Sequence, residues 1–217
     1  MSSEHSPGLP AYGVVVPLKS PAIAKSRLAG LGDDARRELV EAFALDTLAA
    51  VTGCPAVGMV LVVTDDAALA GRVRELGVSA VPDGATGLNP SLQQGAAEVV
   101  RREPRLRPVA ICGDLPCLRS EDLAAVLAVA PPDRPAFVGD AAGVGTTLYV
   151  APDLDRFDPR FGPDSGRAHR TAGAVELIGG VPSSVRRDVD TPADLHEALL
   201  LGAGPRTAQA AARFGIG

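Results

Sequence analysis

The chain has 217 residues, with 21 basic against 26 acidic side chains, a formal net charge of -5 and a pI of about 5.2. Its 46% hydrophobic and 22% charged residues are the composition of one ordinary globular domain, which excludes wholesale disorder. The acidic balance excludes a broad nucleic-acid or anionic-membrane footprint, so any anionic ligand has to be held by a local site.

The opening MSSEHSPGLP has neither a basic n-region nor an apolar h-region. No later run approaches the roughly 18 apolar residues of a membrane span, so a cytoplasmic protein is expected. Residues 1–10 read as a flexible N-terminus, 11–203 as a single domain and 204–217 as a frayed C-terminal tail whose apolar residues could dock on a neighbour. Cys54, Cys112 and Cys117 are odd in number and fit no zinc spacing, as expected of buried thiols in a reduced compartment.

Strand-like runs alternate with helical patterns in chain order, the signature of a sheet built from βαβ units. Tyr12 to Pro17 is the first strand, and the segment PLKSPAIAKSRL follows it. Asp33 then opens a long helix through DDARRELVEAFALDTLAAV, its acidic first turn matching the helix dipole. Strands at Gly58 to Val63 and Ser79 to Val81 flank a helix near Asp66 to Leu76, and Pro90 starts the helix SLQQGAAEVVRR. The buried strand PVAICG, about Pro108 to Gly113, leads into Asp114, and RSEDLAAVLAVA is the next helix. Short strands at Pro135 to Val138 and Thr146 to Val150 enclose Gly143-Val144-Gly145, which reads as a turn rather than a dinucleotide fingerprint. The loop RFGPDSGRAHR and the segment RRDVDTPADL follow, with Thr191 or Asp194 available to cap the last helix.

Four polar constellations stand out. Lys19 and Lys25, beside Arg27, are the only lysines of a chain whose other cations are all arginine, and a compact ammonium suits point contacts with phosphate oxygens. Asp114 follows a buried strand, where open α/β sheets place their ligands, although a turn residue would also fit there. Asp188 and Asp190 are two apart, so an extended backbone puts both carboxylates on one face. Near Asp114 they would form the all-oxygen site that Mg2+ prefers, with helix capping as the plainer role. The loop from Arg160 to Arg167 offers backbone N–H groups, a hydroxyl and two guanidiniums to a small oxyanion, or is simply a surface loop. His169 beside it reads as a solvated surface residue more readily than as a switchable donor. The sequence has no GxxxxGK[ST], GxSxG or HExxH and no oriented Cys/His pair, which argues against P-loop and nucleophilic chemistry.

Together, VPLKSPAIAKSRLAG, LNPSLQQGA, CGDLPCL, GTT, RFGPDSGRAHR, GAVEL and RRDVDTPADL, from Val16 to about Leu195, resemble the CofC/FbiD guanylyltransferases of coenzyme F-420 biosynthesis, the actinobacterial branch most closely. The resemblance implies an α/β, single-domain nucleotidyltransferase fold, GT-A-like and Rossmann-like, with a mixed, mostly parallel sheet between helices. It implies transfer of GMP from GTP to phosphoenolpyruvate, giving enolpyruvyl-diphospho-5'-guanosine and pyrophosphate, with Mg2+ as cofactor. By the same resemblance, Asp114, Asp188 and Asp190 match metal-binding positions, and Thr146, Gly162 and Ser165 match phosphoenolpyruvate-binding positions. Lys19, Lys25 and Arg27 fall in the nucleotide-phosphate segment, with Asp114 counted beside them as catalytic. Guanine and ribose are expected near Thr64, Asp83, Asn89 and Ser91. The implied partners are GTP, a small phosphorylated three-carbon acid and, transiently, the transferase that consumes the product. Other acceptors, 2-phospho-L-lactate or 3-phosphoglycerate, a sugar phosphate or molybdopterin, and a non-catalytic nucleotide-binding regulator are the competing readings.

Overall fold

The computed structural model describes residues 12–22 and 24–217, so the segment 1–10 lies outside the described residues. Strands β1 (Tyr12–Pro17), β2 (Val57–Val63), β3 (Ser79–Val81) and β4 (Arg107–Ile111) form a parallel half ordered β3-β2-β1-β4. Beyond β4, β6 (Thr146–Val150) runs antiparallel to it, β5 (Ala136–Gly139) antiparallel to β6, and the two-residue β7 (Val175–Glu176) parallel to β5 ends the sheet. This is the mixed, mostly parallel α/β sheet expected from the alternating pattern.

Period-two alternation divides the core. On β1, Val14 and Val16 join Val62 and Ile111 under α1 (Asp33–Thr52), α2 (Ala67–Glu75) and α4 (Ser120–Ala128), which supply Leu48, Leu69 and Leu123. Val15 points the other way, to Leu92, Ala96 and Val99 of α3 (Leu88–Arg102). Helix α3 lies close on the sheet because Gly95 has no side chain: a Cβ there would come within 2.5 Å of Val15 and 2.8 Å of Val63. A third cluster joins Leu39 and Phe43 of α1 to Leu195 and Ala198 of α7 (Pro192–Leu201).

Element edges depart from the sequence reading for local reasons. Helix α3 starts at Leu88, two residues ahead of Pro90, because proline is tolerated in a first turn whose N–H groups have no helical partner anyway. Thr191 and Asp194 cap α7 together as a capping box, so both candidates act. The four-residue α6 (Ser183–Arg186) and the strand β7 are too short to carry a periodic signal. Among the described residues no helix is long and apolar enough to cross a membrane. All three cysteines are free, with Cys54 and Cys117 buried.

The tail corrects its expectation. Residues 204–217, read as frayed, contain α8 (Pro205–Arg213), which packs Ala210 and Ala211 against α1 in the third cluster. The buried Asp46 of α1 accepts the first-turn N–H groups of Thr207 at 2.8 Å and Arg206 at 3.3 Å, supplying partners to donors a helix leaves unsatisfied. Replacing Asp46 with alanine is therefore expected to lower the unfolding free energy by about 1–3 kcal/mol, measured as the shift in urea midpoint. An unchanged midpoint would mean that α8 docks by its apolar face alone.

Candidate active site

The carboxyl ends of β1 and β4 open into a cavity of about 660 Å3. Lys19, Lys25, Arg27, Asp83, Ser91, Asp114 and Asp190 all line it, so seven of the residues singled out in the sequence share one crevice. The crevice lies where an open α/β sheet places its ligand, outside the strand ends.

Lys25 is its electrostatic centre. The ammonium hydrogen-bonds to the carboxylates of both Asp114 and Asp190, joining the loop after β1 to the loop after β4 and to the chain ahead of α7. Burial alone would lower the lysine pKa, but the charge and hydrogen bond of Asp114, with those of Asp190, hold it above the ordinary lysine range. Lys25 adopts a left-handed backbone, φ 54°, uncommon for a residue with a side chain. Arg27 is exposed and only 3.9 Å from Asp190, and Lys19 is exposed at the rim with no carboxylate within ion-pair distance among the described residues.

The loop carrying these cations is held by Arg36, which sequence reasoning missed. Its guanidinium is buried and donates to the carbonyls of Pro21 at 2.8 Å, Ala22 at 3.0 Å and Ala24 at 2.7 Å. Three main-chain acceptors matched to one planar fork fix the path between Lys19 and Lys25. The signal in the sequence was an arginine on the apolar face of α1, between the buried Ala35 and Leu39.

The nucleotide-binding set divides. Ser91 Oγ lies 2.7 Å from both carboxylate oxygens of Asp83 and from the carbonyl of Gly87, so its single proton is shared among them. Gln94, also missed, clamps the same loop by accepting from Gly84 N–H and donating to the Pro82 carbonyl. Thr64 is buried and its hydroxyl accepts from Asp66 N–H, just ahead of α2. Asn89 is outside the cavity lining: its amide donates to the Phe161 carbonyl at 3.0 Å and its oxygen accepts the Phe161 N–H at 2.8 Å. Asn89 therefore ties α3 to the loop after residue 159.

That loop, with Thr146, Gly162 and Ser165, lies outside the lining of the crevice and is fixed by contacts of its own. The helix α5 (Ser165–Thr171) starts at Ser165 after Asp164, whose φ of 55° is left-handed, and Gly162 has φ 139°. Gly166 donates to the Val144 carbonyl at 3.0 Å, and a Cβ at Gly166 would lie 3.0 Å from that oxygen, so glycine is needed for α5 to meet the turn between β5 and β6. His169 contradicts its expectation as a solvated residue. It is fully buried, packed against Phe137, Tyr149 and Phe161, and burial lowers its pKa to about 4. Thr146 is its hydroxyl partner at 3.0 Å.

The acidic triad is assembled differently from the sequence picture. Val189 is buried between the half-buried Asp188 and Asp190, only the second of which lines the crevice, and Val189 N–H donates to the Asp114 carbonyl. Among the described residues no three acidic, histidine or cysteine side chains converge as a ligand cluster, because the Lys25 ammonium stands between Asp114 and Asp190. The donor chemistry nonetheless fits a hard divalent cation. Asp114 Oδ1 is buried without a hydrogen-bond partner, and burial followed by the like charges of Asp114, Asp190 and Asp140 pushes the Asp188 carboxyl up to about 7. Burial, followed by the charges of Asp114, Asp188 and Asp190, raises the Cys112 thiol well above its ordinary value, which leaves it a protonated bystander.

A mixed, mostly parallel sheet with a cation- and carboxylate-lined crevice at its strand ends is suited to holding a phosphorylated ligand. A solved nucleotidyl transferase from Methanothermobacter thermautotroptrophicus, 16% identical, superposes with a TM-score of 0.60 over 88% of this chain and 97% of its own, a likeness of fold. Residues 12–216 match the family described as "Guanylyl transferase CofC like", and the chain belongs to that family. A phosphoenolpyruvate guanylyltransferase from Streptomyces coelicolor is 50% identical over 205 residues, covering 94% of this chain and 97% of its own. One from Thermomonospora curvata is 47% identical, with coverage of 94% and 90%.

The raised Asp188 pKa gives a signed prediction. An aspartate titrates near 4 in the unfolded chain and about 7 in the folded one, so the folded state is increasingly penalised as pH rises through that window. In buffer free of divalent cations, Asp188→Asn should stabilise the protein at about pH 8 by on the order of 2–4 kcal/mol and leave it unchanged at about pH 4. Thermal unfolding at both pH values measures this, and a destabilised variant at the higher pH would contradict it.

Proposed function

We propose that the protein transfers GMP from GTP to phosphoenolpyruvate, with release of pyrophosphate. The observation that carries this reading is the crevice that Lys19, Lys25 and Arg27 line together with Asp83, Asp114 and Asp190. The relatives' activity supports phosphoenolpyruvate over 2-phospho-L-lactate or 3-phosphoglycerate. The product, a diphosphate-activated enolpyruvyl group, is the kind of donor a transferase consumes in coenzyme F-420 assembly.

The reaction joins two anions. An oxygen of the acid's phosphate attacks the α-phosphorus of GTP, and the bond from that phosphorus to the bridging oxygen breaks as pyrophosphate leaves. Lys19 and Arg27 at the rim, with Lys25 deeper in, hold the triphosphate and offset the charge gathered at the leaving group. Mg2+, when bound, would be held by Asp114, Asp188 and Asp190 and would neutralise phosphate charge as a Lewis acid. Lys25 is already engaged by two of those carboxylates, so its ammonium is positioned before any substrate arrives. No general base is needed, because a phosphate monoester with a second pKa of about 6 is already a dianion near neutral pH. Thr146, Gly162 and Ser165 hold the acid, and Asn89 sets the loop that carries two of them.

At the other end of the cavity the Asp83 carboxylate suits guanine, whose N1–H and amino group both donate. Adenine offers an acceptor at N1, which a carboxylate repels. Asp83 is itself oriented by Ser91 and by the Ala85 N–H at 3.1 Å.

Pyrophosphate release with GTP and Mg2+ should require phosphoenolpyruvate and be slow with 2-phospho-L-lactate, 3-phosphoglycerate or no acid. Asp114→Asn should lower kcat/KM by roughly 100- to 1000-fold, the scale of one lost electrostatic contact to the reacting centre. Equal release with every acid, or an active Asp114→Asn protein, would contradict the reading.

A further inference from the structure

His169 belongs to none of the roles assigned so far, yet it is a fully enclosed polar side chain in contact with Thr146 and with the loop proposed to hold the acid. It is fully buried on α5, with Tyr149 stacked at 4.8 Å, Phe137 stacked at 5.3 Å and the edge of Phe161 at 5.5 Å. Both ring nitrogens are engaged, and one partner leaves no choice of role. The Arg160 backbone N–H lies 2.9 Å from Nε2, and a backbone N–H can only donate. Nε2 therefore keeps its lone pair, and the neutral ring carries its proton on Nδ1. Nδ1 lies 3.0 Å from Thr146 Oγ1, with the Ser165 carbonyl also in range of the ring. The Thr146 hydroxyl accepts from Nδ1–H, which turns its own proton away from the imidazole.

We infer that His169 is a positioning residue, fixed as the Nδ1–H tautomer, that pins the 160–166 loop through Arg160 and makes Thr146 a donor to the acid substrate. The inference rests on the proposed reading that Thr146, Gly162 and Ser165 hold that acid. The loop is then held at three successive points: Arg160 by His169, Phe161 by Asn89, and Gly166 by the Val144 carbonyl. The backbone between the second and third points, from Gly162 to Ser165, is the part left to meet the ligand. A neutral ring suits this work, because protonating Nε2 would set two donors against each other and release Arg160. The charged groups facing the ring are Arg160, which opposes a proton there, and Asp158, which favours one more weakly.

The test combines spectroscopy on unmodified protein with kinetics on one variant. In 15N-labelled protein the His169 ring should show a protonated Nδ1 and an unprotonated Nε2 from about pH 8 down to about pH 5, with no titration near the ordinary histidine value of about 6.5. A protonated Nε2 or an ordinary titration would overturn the inference without any substitution. In His169→Gln the amide oxygen can still accept from Arg160, but the flexible amide no longer fixes a donor at the Nδ1 position beside Thr146. The substitution should raise KM for phosphoenolpyruvate about tenfold and leave KM for GTP within about twofold. The Thr146→Val effect should be markedly smaller in the His169→Gln background than in wild type, since the two residues form one chain. Unmodified protein without acid-dependent turnover overturns the functional reading and the kinetic part together, whereas normal turnover with an unchanged KM in His169→Gln overturns this inference alone. If His169→Gln does not fold, the ring spectrum decides.

Discussion

One ammonium between two carboxylates organises the crevice. Lys25 contacts Asp114 and Asp190, and through them three stretches of chain that are far apart in sequence meet at the end of the sheet. Remove the lysine and the carboxylates of Asp114 and Asp190, with Asp188 beside them, face one another in a partly buried space. Their mutual repulsion would then have to be relieved by protonation or by another cation. The cations and carboxylates that line the crevice are of opposite sign and nearly matched, a balance that suits the proposed anionic nucleotide and divalent cation only when both are bound.

The supports around that centre are main-chain clamps. Arg36 holds three carbonyls of the first loop, Gln94 and Ser91 hold the loop after β3, and Asn89 and His169 hold consecutive residues of the loop of residues 160–166. Each uses a side chain on regular structure to fix irregular backbone, which lets loops carry ligands without collapsing. Asn89 comes from α3, so that helix and the loop of residues 160–166 are not independent of each other.

Much of this was legible in the sequence because it depends on periodicity and sign. The strands β1, β3 and β6 fall where apolar runs placed them. Seven of the singled-out residues line one cavity for the same reason: strand ends converge, and the motifs sat just past strands. What stayed hidden depends on tertiary partners. Nothing local distinguishes a surface histidine between arginines from one enclosed by Phe137, Tyr149 and Phe161, since two of those rings come from strands and the third from a loop that folds back over the helix. Nor does the sequence show that Asn89 reaches Phe161 or that α8 docks through Asp46, both contacts across more than seventy residues. The acidic triad was legible as composition, but the place of Lys25 within it was not.

Calorimetric titration of the full chain with Mg2+, with and without GTP, tests the central charge argument most directly. The account predicts saturable Mg2+ binding that GTP strengthens and that Asp114→Asn abolishes in a protein that still unfolds cooperatively. Mg2+ binding of equal strength in Asp114→Asn, or none to the wild-type protein even with GTP, would contradict it.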